Sequence, residues 1–178
     1  MSVARIRPVL LAAAVAAGLA GVPAHPAAAS SAVTIATRAG RALQDLTTLT
    51  ISVPARADLG TAPAGATSIS GDLGDVTVTA AGTGSWTATV TSTDFSNGVS
   101  TIPAANIHYS APVATTTGSV VLGAPESATL SNSISQTVQT AVAVAGDTTA
   151  TWNPTLTVTL PPSLTQGTYT AIITHSVA

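Results

Sequence analysis

The sequence predicts an all-β protein, a single immunoglobulin-like antiparallel β-sandwich that follows a cleaved signal peptide. Three observations carry this expectation. Apolar and hydroxyl residues alternate in segment after segment, as in Leu49-Thr50-Ile51-Ser52-Val53 and Trp86-Thr87-Ala88-Thr89-Val90-Thr91. A period of two places successive side chains on opposite faces of a strand. The composition is dominated by Thr, Ser, Val, Ala and Gly, with no lysine and a single glutamate, Glu126. The helix-favouring residues Lys and Glu are therefore almost absent. Finally, 14 Gly and 11 Pro recur as turn signals between the alternating segments, the spacing typical of sandwiches and barrels.

The N-terminus predicts export. Arg5 and Arg7 precede an apolar run from Val9 to Ala20, and Ala27-Ala28-Ala29 offers a small-residue cleavage site before Ser30. An earlier cut after Val22-Pro23-Ala24 fits the same rule. The run is shorter than the roughly 20 residues a permanent span needs. The chain has no cysteine, which excludes lipoprotein processing, and Ile6 separates the two arginines, which argues against a twin-arginine signal. The expected organisation is a signal peptide at 1–29, a lead-in at 30–48 and one domain at 49–178. A domain near 150 residues can bury roughly 68–70% of its unfolded surface, so neither disulfides nor metal are required for stability.

The elements follow in order. The lead-in is weakly patterned, with a turn of helix expected around Arg38 to Leu46. Residues 49–53 alternate and stop at Pro54, after which 54–66 is a Pro/Gly/Ala loop. Residues 68–73 and 76–79 alternate again. Gly82 to Gly84 reads as a turn before the strand at 86–91. Asp94 to Asn106 reads as a loop leading to Ile107-His108-Tyr109. Weaker strands are expected at 118–122 and 133–144, and clear ones at 149–160 and 168–177, the last two either side of a Pro161-Pro162 turn. Eight to nine short strands make two packed sheets. The last strand runs almost to the final residue, with no sorting motif, membrane tail or basic anchor after it, so retention at the cell is expected to be non-covalent.

Charge narrows the partners. From residue 30 onward Arg38, Arg41 and Arg56 stand against seven carboxylates, three minus seven giving −4. A nucleic-acid binder needs a basic footprint, and anionic lipid or teichoic phosphate would need one too. Any partner must be held by hydrogen bonds, shape or apolar contact. No membrane association is expected once the leader is removed.

Several stretches taken together resemble the WxL cell-wall-binding domain family. These are Leu49-Thr-Ile-Ser-Val-Pro54, Ser70-Gly-Asp-Leu-Gly74 with Val76-Thr-Val78, and Ser85-Trp-Thr-Ala-Thr-Val90 followed by Thr93-Asp-Phe95. Ile102-Pro103 to Tyr109, Thr151-Trp-Asn-Pro-Thr-Leu156 and Gly167-Thr-Tyr-Thr-Ala171 complete the set. The resemblance covers about residues 49–178 in matching order and spacing. It implies a secreted β-rich domain of Gram-positive bacteria that attaches non-covalently to peptidoglycan. The first Trp-x-Leu tripeptide reads Trp86-Thr87-Ala88 and the second His175-Ser176-Val177, so this chain is a divergent member with both tripeptides degenerate.

Trp86, Trp152, Tyr169 and His175 are the candidate wall-binding residues. Trp86 shares strand parity with Ala88 and Val90, and Trp152 with Leu156 and Val158, so both rings face inward, where they serve as core anchors or as sugar-stacking platforms near a strand end. Tyr169, Ala171, Ile173, His175 and Val177 form one face, which sets His175 in an apolar row as a buried imidazole or as a pH-responsive group. His108 faces away from Ile107 and Tyr109. There is no G-x-S-x-G elbow, and Asp72 and Asp75 sit in a Gly-rich turn, where turn roles suffice. No catalysis, cofactor or metal is expected. The expected function is a secreted, non-enzymatic surface protein binding peptidoglycan or another wall glycan. The alternative is a structural subunit of an envelope assembly or an adhesin, contacting other surface proteins or further copies of itself through strands.

Overall fold

A computed structural model describes residues 4–6, 9–13 and 46–178. In chain order its strands are β1 (Ala4–Ile6), β2 (Val9–Ala13), β3 (Leu46–Ser52), β4 (Arg56–Ala57), β5 (Thr61–Ala62), β6 (Ser68–Asp72), β7 (Val76–Ser92) and β8 (Phe95–Ser96). There follow β9 (Thr101–Ile102), β10 (Ile107–Ser110), β11 (Thr115–Leu122), β12 (Ser127–Thr129), β13 (Gln136–Trp152), β14 (Thr155–Thr159), β15 (Thr168–Tyr169) and β16 (Ile172–Val177). One short 3-10 turn, Ala104–Asn106, precedes β10. The predicted signal-peptide cleavage point and most of the lead-in lie outside the described residues.

The chain is an all-β sandwich. The larger sheet runs β11-β13-β7-β16-β2-β4, with β3 also paired to β7, and the sheet facing it runs β12-β10-β14-β6. Two small sheets, β15-β1-β5 and β8-β9, complete the set. Most pairings are antiparallel; the parallel ones, β1 with β15 and β2 with β16, both involve the N-terminal segment.

β7 is the axis of the larger sheet. Along its 17 residues Val76, Val78, Ala80, Trp86, Ala88 and Val90 are buried, while Thr77, Thr79, Thr87, Thr89 and Thr91 turn to the other face. One side of β7 pairs along its length with β13. The other side is shared end to end, by β3 against Thr77–Gly82 and by β16 against Ala88–Ser92. The facing sheet contributes Ile69, Ile107, Tyr109, Leu156 and Val158 to the same core.

Several sequence expectations are corrected here. Gly82 to Gly84 is not a turn but the middle of β7, where Gly82 has a φ of +105° and the ladder to β3 shifts register between Leu46 and Thr48. Glycine inside a strand marks a bulge as readily as a turn. The segments expected at 133–144 and 149–160 are instead one long β13, broken from β14 at Asn153-Pro154. The register of β13 slips between Thr137 and Gln139 and again between Ala141 and Val144. Each slip flips the buried parity, so Val138 and Gln139 are both buried and Val142 and Ala143 both exposed. That is why this segment alternates weakly. Leu46 opens a strand rather than closing a helix, and the expected loops at 54–66 and 94–106 contain β4, β5, β8 and β9.

Three of the stretches that carry the family resemblance, those with Pro54, Leu73-Gly74 and Asn153-Pro154, meet at one corner. Leu73 N–H donates to the Pro154 carbonyl at 2.9 Å, and Gly74 N–H donates to Asn153 Oδ1 at 3.0 Å. Gly74 has a φ of +86°, and a Cβ there would lie 2.7 Å from Pro54 Cγ. The Gly-Asp-Leu-Gly and Trp-Asn-Pro sequences thus lock the turn after β6 onto the β13–β14 break.

Two glycines separate backbone conformation from close approach. Gly118 and Gly146 both have a φ of +76°, but a Cβ on Gly118 would collide with the Asp147 carbonyl oxygen whereas Gly146 faces open space. Gly146→Ala should cost about 1–2 kcal/mol, the usual left-handed penalty. Gly118→Ala should cost clearly more, read as a larger drop in the urea midpoint. Equal losses would show that the close approach relaxes freely.

Candidate functional site

The four candidate residues are all core residues. Trp86 is 3% exposed, Trp152 2%, Tyr169 1% and His175 0%. In this structure none presents a ring face to a ligand. β13 brings Trp152, β10 brings Tyr109 and β16 brings His175 to one point between the two sheets. The Trp152 indole N–H donates to Tyr109 Oη at 3.1 Å, and Tyr109 Oη lies 3.0 Å from His175 Nε2. The Tyr109 and His175 rings are 5.5 Å apart and tilted by 58°. Trp86 packs further along the same core. Tyr169 stands apart, its hydroxyl donating to the Thr165 carbonyl at 2.8 Å and fixing the turn before β15.

The arrangement that satisfies the most donors has Tyr109 Oη accept from Trp152 and give its own proton to His175 Nε2, with the neutral imidazole carrying its hydrogen on Nδ1. Nδ1 finds no partner among the described residues. Burial lowers the His175 pKa from 6.5 to about 4, because a charged ring would lose its hydration. Burial also raises the Tyr109 pKa well above its ordinary value, opposed by the hydrogen bond from Trp152. Tyr109 is the member of this chain that the sequence reading did not single out. Its signal was the inward parity it shares with Ile107.

The remaining titratable groups are dispersed. His108 faces outward between Thr157 and Thr129 of the neighbouring strands. Asp72 accepts from the Thr155 hydroxyl at 3.0 Å. Asp94 Oδ1 accepts from Ala104 N–H at 2.8 Å and closes the 3-10 turn. No group of three His, Cys, Asp or Glu able to hold a metal ion occurs among the described residues. A surface pocket of 510 Å³ lies between the 62–67 and 160–166 loops, lined mainly by Ala62, Pro63, Leu160, Pro161, Pro162 and Leu164. Its lining holds no titratable side chain among the described residues.

The most regular polar feature is the outer face of the larger sheet. Strand register places Thr117, Thr149, Thr79 and Thr50 side by side across β11, β13, β7 and β3. Two residues along, Thr115, Thr151, Thr77 and Ser52 form a second such row. All eight are exposed or half-buried. The Thr117 and Thr149 hydroxyls are 2.7 Å apart, and those of Thr77 and Thr151 are 2.9 Å apart. These four strands together contain one charged residue, Asp147. The sequence reading noted the hydroxyl content but had no register with which to align it.

Fold and site together define an all-β sandwich with a polar thread through its core and a hydroxyl-lined outer face that carries a single charge, Asp147. The chain matches no family model, no curated protein and no solved structure.

Two stability measurements test the buried thread. The folded His175 pKa is lowered, so the unfolded chain binds the proton first as pH falls. The contribution of neutral His175 is fully present above pH 6.5 and is lost as pH drops toward 4, by about 3 kcal/mol in total. His175→Leu should abolish that part of the pH dependence, and an unchanged slope in the variant would refute the assignment. Tyr109→Phe should cost about 1–3 kcal/mol at neutral pH, since it strands the Trp152 N–H and His175 Nε2 without partners. A midpoint like wild type would show that the hydroxyl holds nothing.

Proposed function

We propose that this chain is a secreted, non-enzymatic surface protein that binds the wall of a Gram-positive cell non-covalently through peptidoglycan glycan. The observation that carries the reading is the outer face of the larger sheet, where two in-register hydroxyl rows span four strands that share a single charge. A partner for such a face must be met by hydrogen bonds rather than by charge. The resemblance to the WxL family supports the same reading, and three of the stretches that carry it build the corner around Pro54, Gly74 and Asn153. The buried Trp86, Trp152, Tyr169 and His175 then shape the strands, and recognition belongs to the surface outside them.

The test is co-sedimentation of the processed protein with peptidoglycan sacculi, before and after wall polymers are stripped. Saturable pelleting with stripped sacculi is the expected result. No pelleting, or pelleting only with unstripped walls, would sink the peptidoglycan assignment.

A second reading, a structural subunit that joins its neighbours through strands, has an observation of its own. β1 and β2 lie between two borders, β5 and β4 on one side and β15 and β16 on the other. Both strands belong to the proposed leader. Ala178 exchanges backbone hydrogen bonds with Thr87, and the Ile172 carbonyl accepts from Thr93 N–H while Ile172 N–H donates to the Thr93 hydroxyl, so by alternation the amides of Ile173 and His175 face β2. Removal of the leader would bare those groups, and an exposed edge is a template for another strand. Among the sequence-expected neutral strands, β11 is a true edge, whereas β13 is covered on both sides. In this reading the processed chain self-associates as concentration rises, with slow amide exchange at Ile173 and His175 only in the assembled form. A monomer at every concentration would remove the reading.

A further inference from the structure

The hydroxyl rows differ from a merely soluble surface in their direction. They run across the strands, so neighbouring hydroxyl positions repeat at the inter-strand spacing, roughly 4.8 Å. The rise of one sugar unit along an extended β-1,4-linked glycan is close to that spacing. A chain laid across β11, β13, β7 and β3 would therefore meet one Thr or Ser of each row at each strand. Along a strand the two rows stand two residues apart, roughly 6.6 Å, about the width over which a pyranose ring carries polar groups on both edges. The side-by-side pairing of Thr117 with Thr149 and of Thr77 with Thr151 limits their rotation and so lowers the ordering cost of binding.

The sheet also discriminates among hydroxylated partners. Adjacent strands rotate by roughly 20–25°, so the rows are twisted tracks. A rigid crystalline face cannot follow four such strands, but a single chain with free glycosidic torsions can. An acidic polymer gains nothing on a face whose only charge is Asp147. The outer face of the smaller sheet is less uniform, since Asp72 and the exposed His108 interrupt its hydroxyls.

From this we infer that the outer face of β11-β13-β7-β3 is a glycan track, taking one uncharged, extended β-1,4-linked polysaccharide chain across the strands at about one sugar per strand. The inference rests on the wall-binding reading and names the site and the ligand class within it.

The experiment measures binding of the processed protein to β-1,4-linked N-acetylglucosamine oligomers of increasing length, with stripped sacculi assayed in parallel. Affinity should climb until the oligomer spans the four strands and then level off. Thr79→Val with Thr149→Val keeps the β-branched shape while deleting two central hydroxyls, and should weaken both ligands about tenfold. Ser70→Ala with Thr157→Val, on the outer face of the smaller sheet, should leave both unchanged. Wild-type melting curves for both variants establish that the sheet is intact. Sacculi binding that survives Thr79→Val with Thr149→Val overturns the track and leaves the wall reading standing. Binding to sacculi but to no oligomer also overturns the track, pointing to the peptide portion of the wall. Binding to neither overturns both.

Discussion

Everything in this structure depends on one constraint, the two-residue alternation that β7 holds for 17 residues. A strand of that length needs partners along its whole run. β13 supplies them on one side, while β3 and β16 divide the other between them. Because the parity of β7 never breaks, its inward residues build one continuous core from Val76 to Val90. Its outward residues form a line of hydroxyls interrupted only at Ala81, beside the central glycines. The core and the proposed binding face are two sides of the same pattern. A register slip in β7 would destroy both at once, which is why the slips are confined to its neighbours.

The buried thread from Trp152 through Tyr109 to His175 is the one place where the core departs from apolar packing. Desolvating three polar atoms costs free energy unless they satisfy one another. Here they do so in sequence, leaving only the imidazole Nδ1 without a partner among the described residues. The compensation is positional. The thread joins β13 and β16 of the larger sheet to β10 of the smaller one, and hydrogen bonds have directions that apolar contacts lack. It therefore fixes how the two sheets sit on each other. Since Trp152 and His175 are fully consumed by this work, the proposed recognition is assigned to the surface.

Much of this was legible in the sequence, and the failures have physical causes. Inward parity correctly placed Trp86, Trp152, Tyr169 and His175 in the core, because that parity survives wherever a strand has no bulge. It failed across 133–144 because two slips in β13 exchange its faces, and it misread Gly82–Gly84 because glycine occurs in turns and also inside strands, opposite a bulge in β3 here. The short strands β4, β5, β8 and β9 are only two residues long and carry no period to detect. The hydroxyl rows were unreadable for a different reason. Each Thr is visible in the sequence, but a row exists only when four strands separated by up to about a hundred positions take a common register, and register is a tertiary property.

The near absence of charge ties these features together. The β11 edge of this sheet has no charged residue to guard it, and the solubility of the outer face depends on hydroxyls exchanging hydrogen bonds with water. That same exchange makes the face competent for a neutral polyhydroxyl chain, whose groups can replace the water one for one. The edges are a separate matter, because a bare strand edge offers backbone groups in a fixed ladder and selects another strand rather than a sugar. Face and edge therefore call for different partners, and a chain that uses both could hold the wall on one surface while meeting its neighbours on another. The order of events would follow from the N-terminal strands. While they lie against β16 its edge is covered, and their removal would open that edge beside the face.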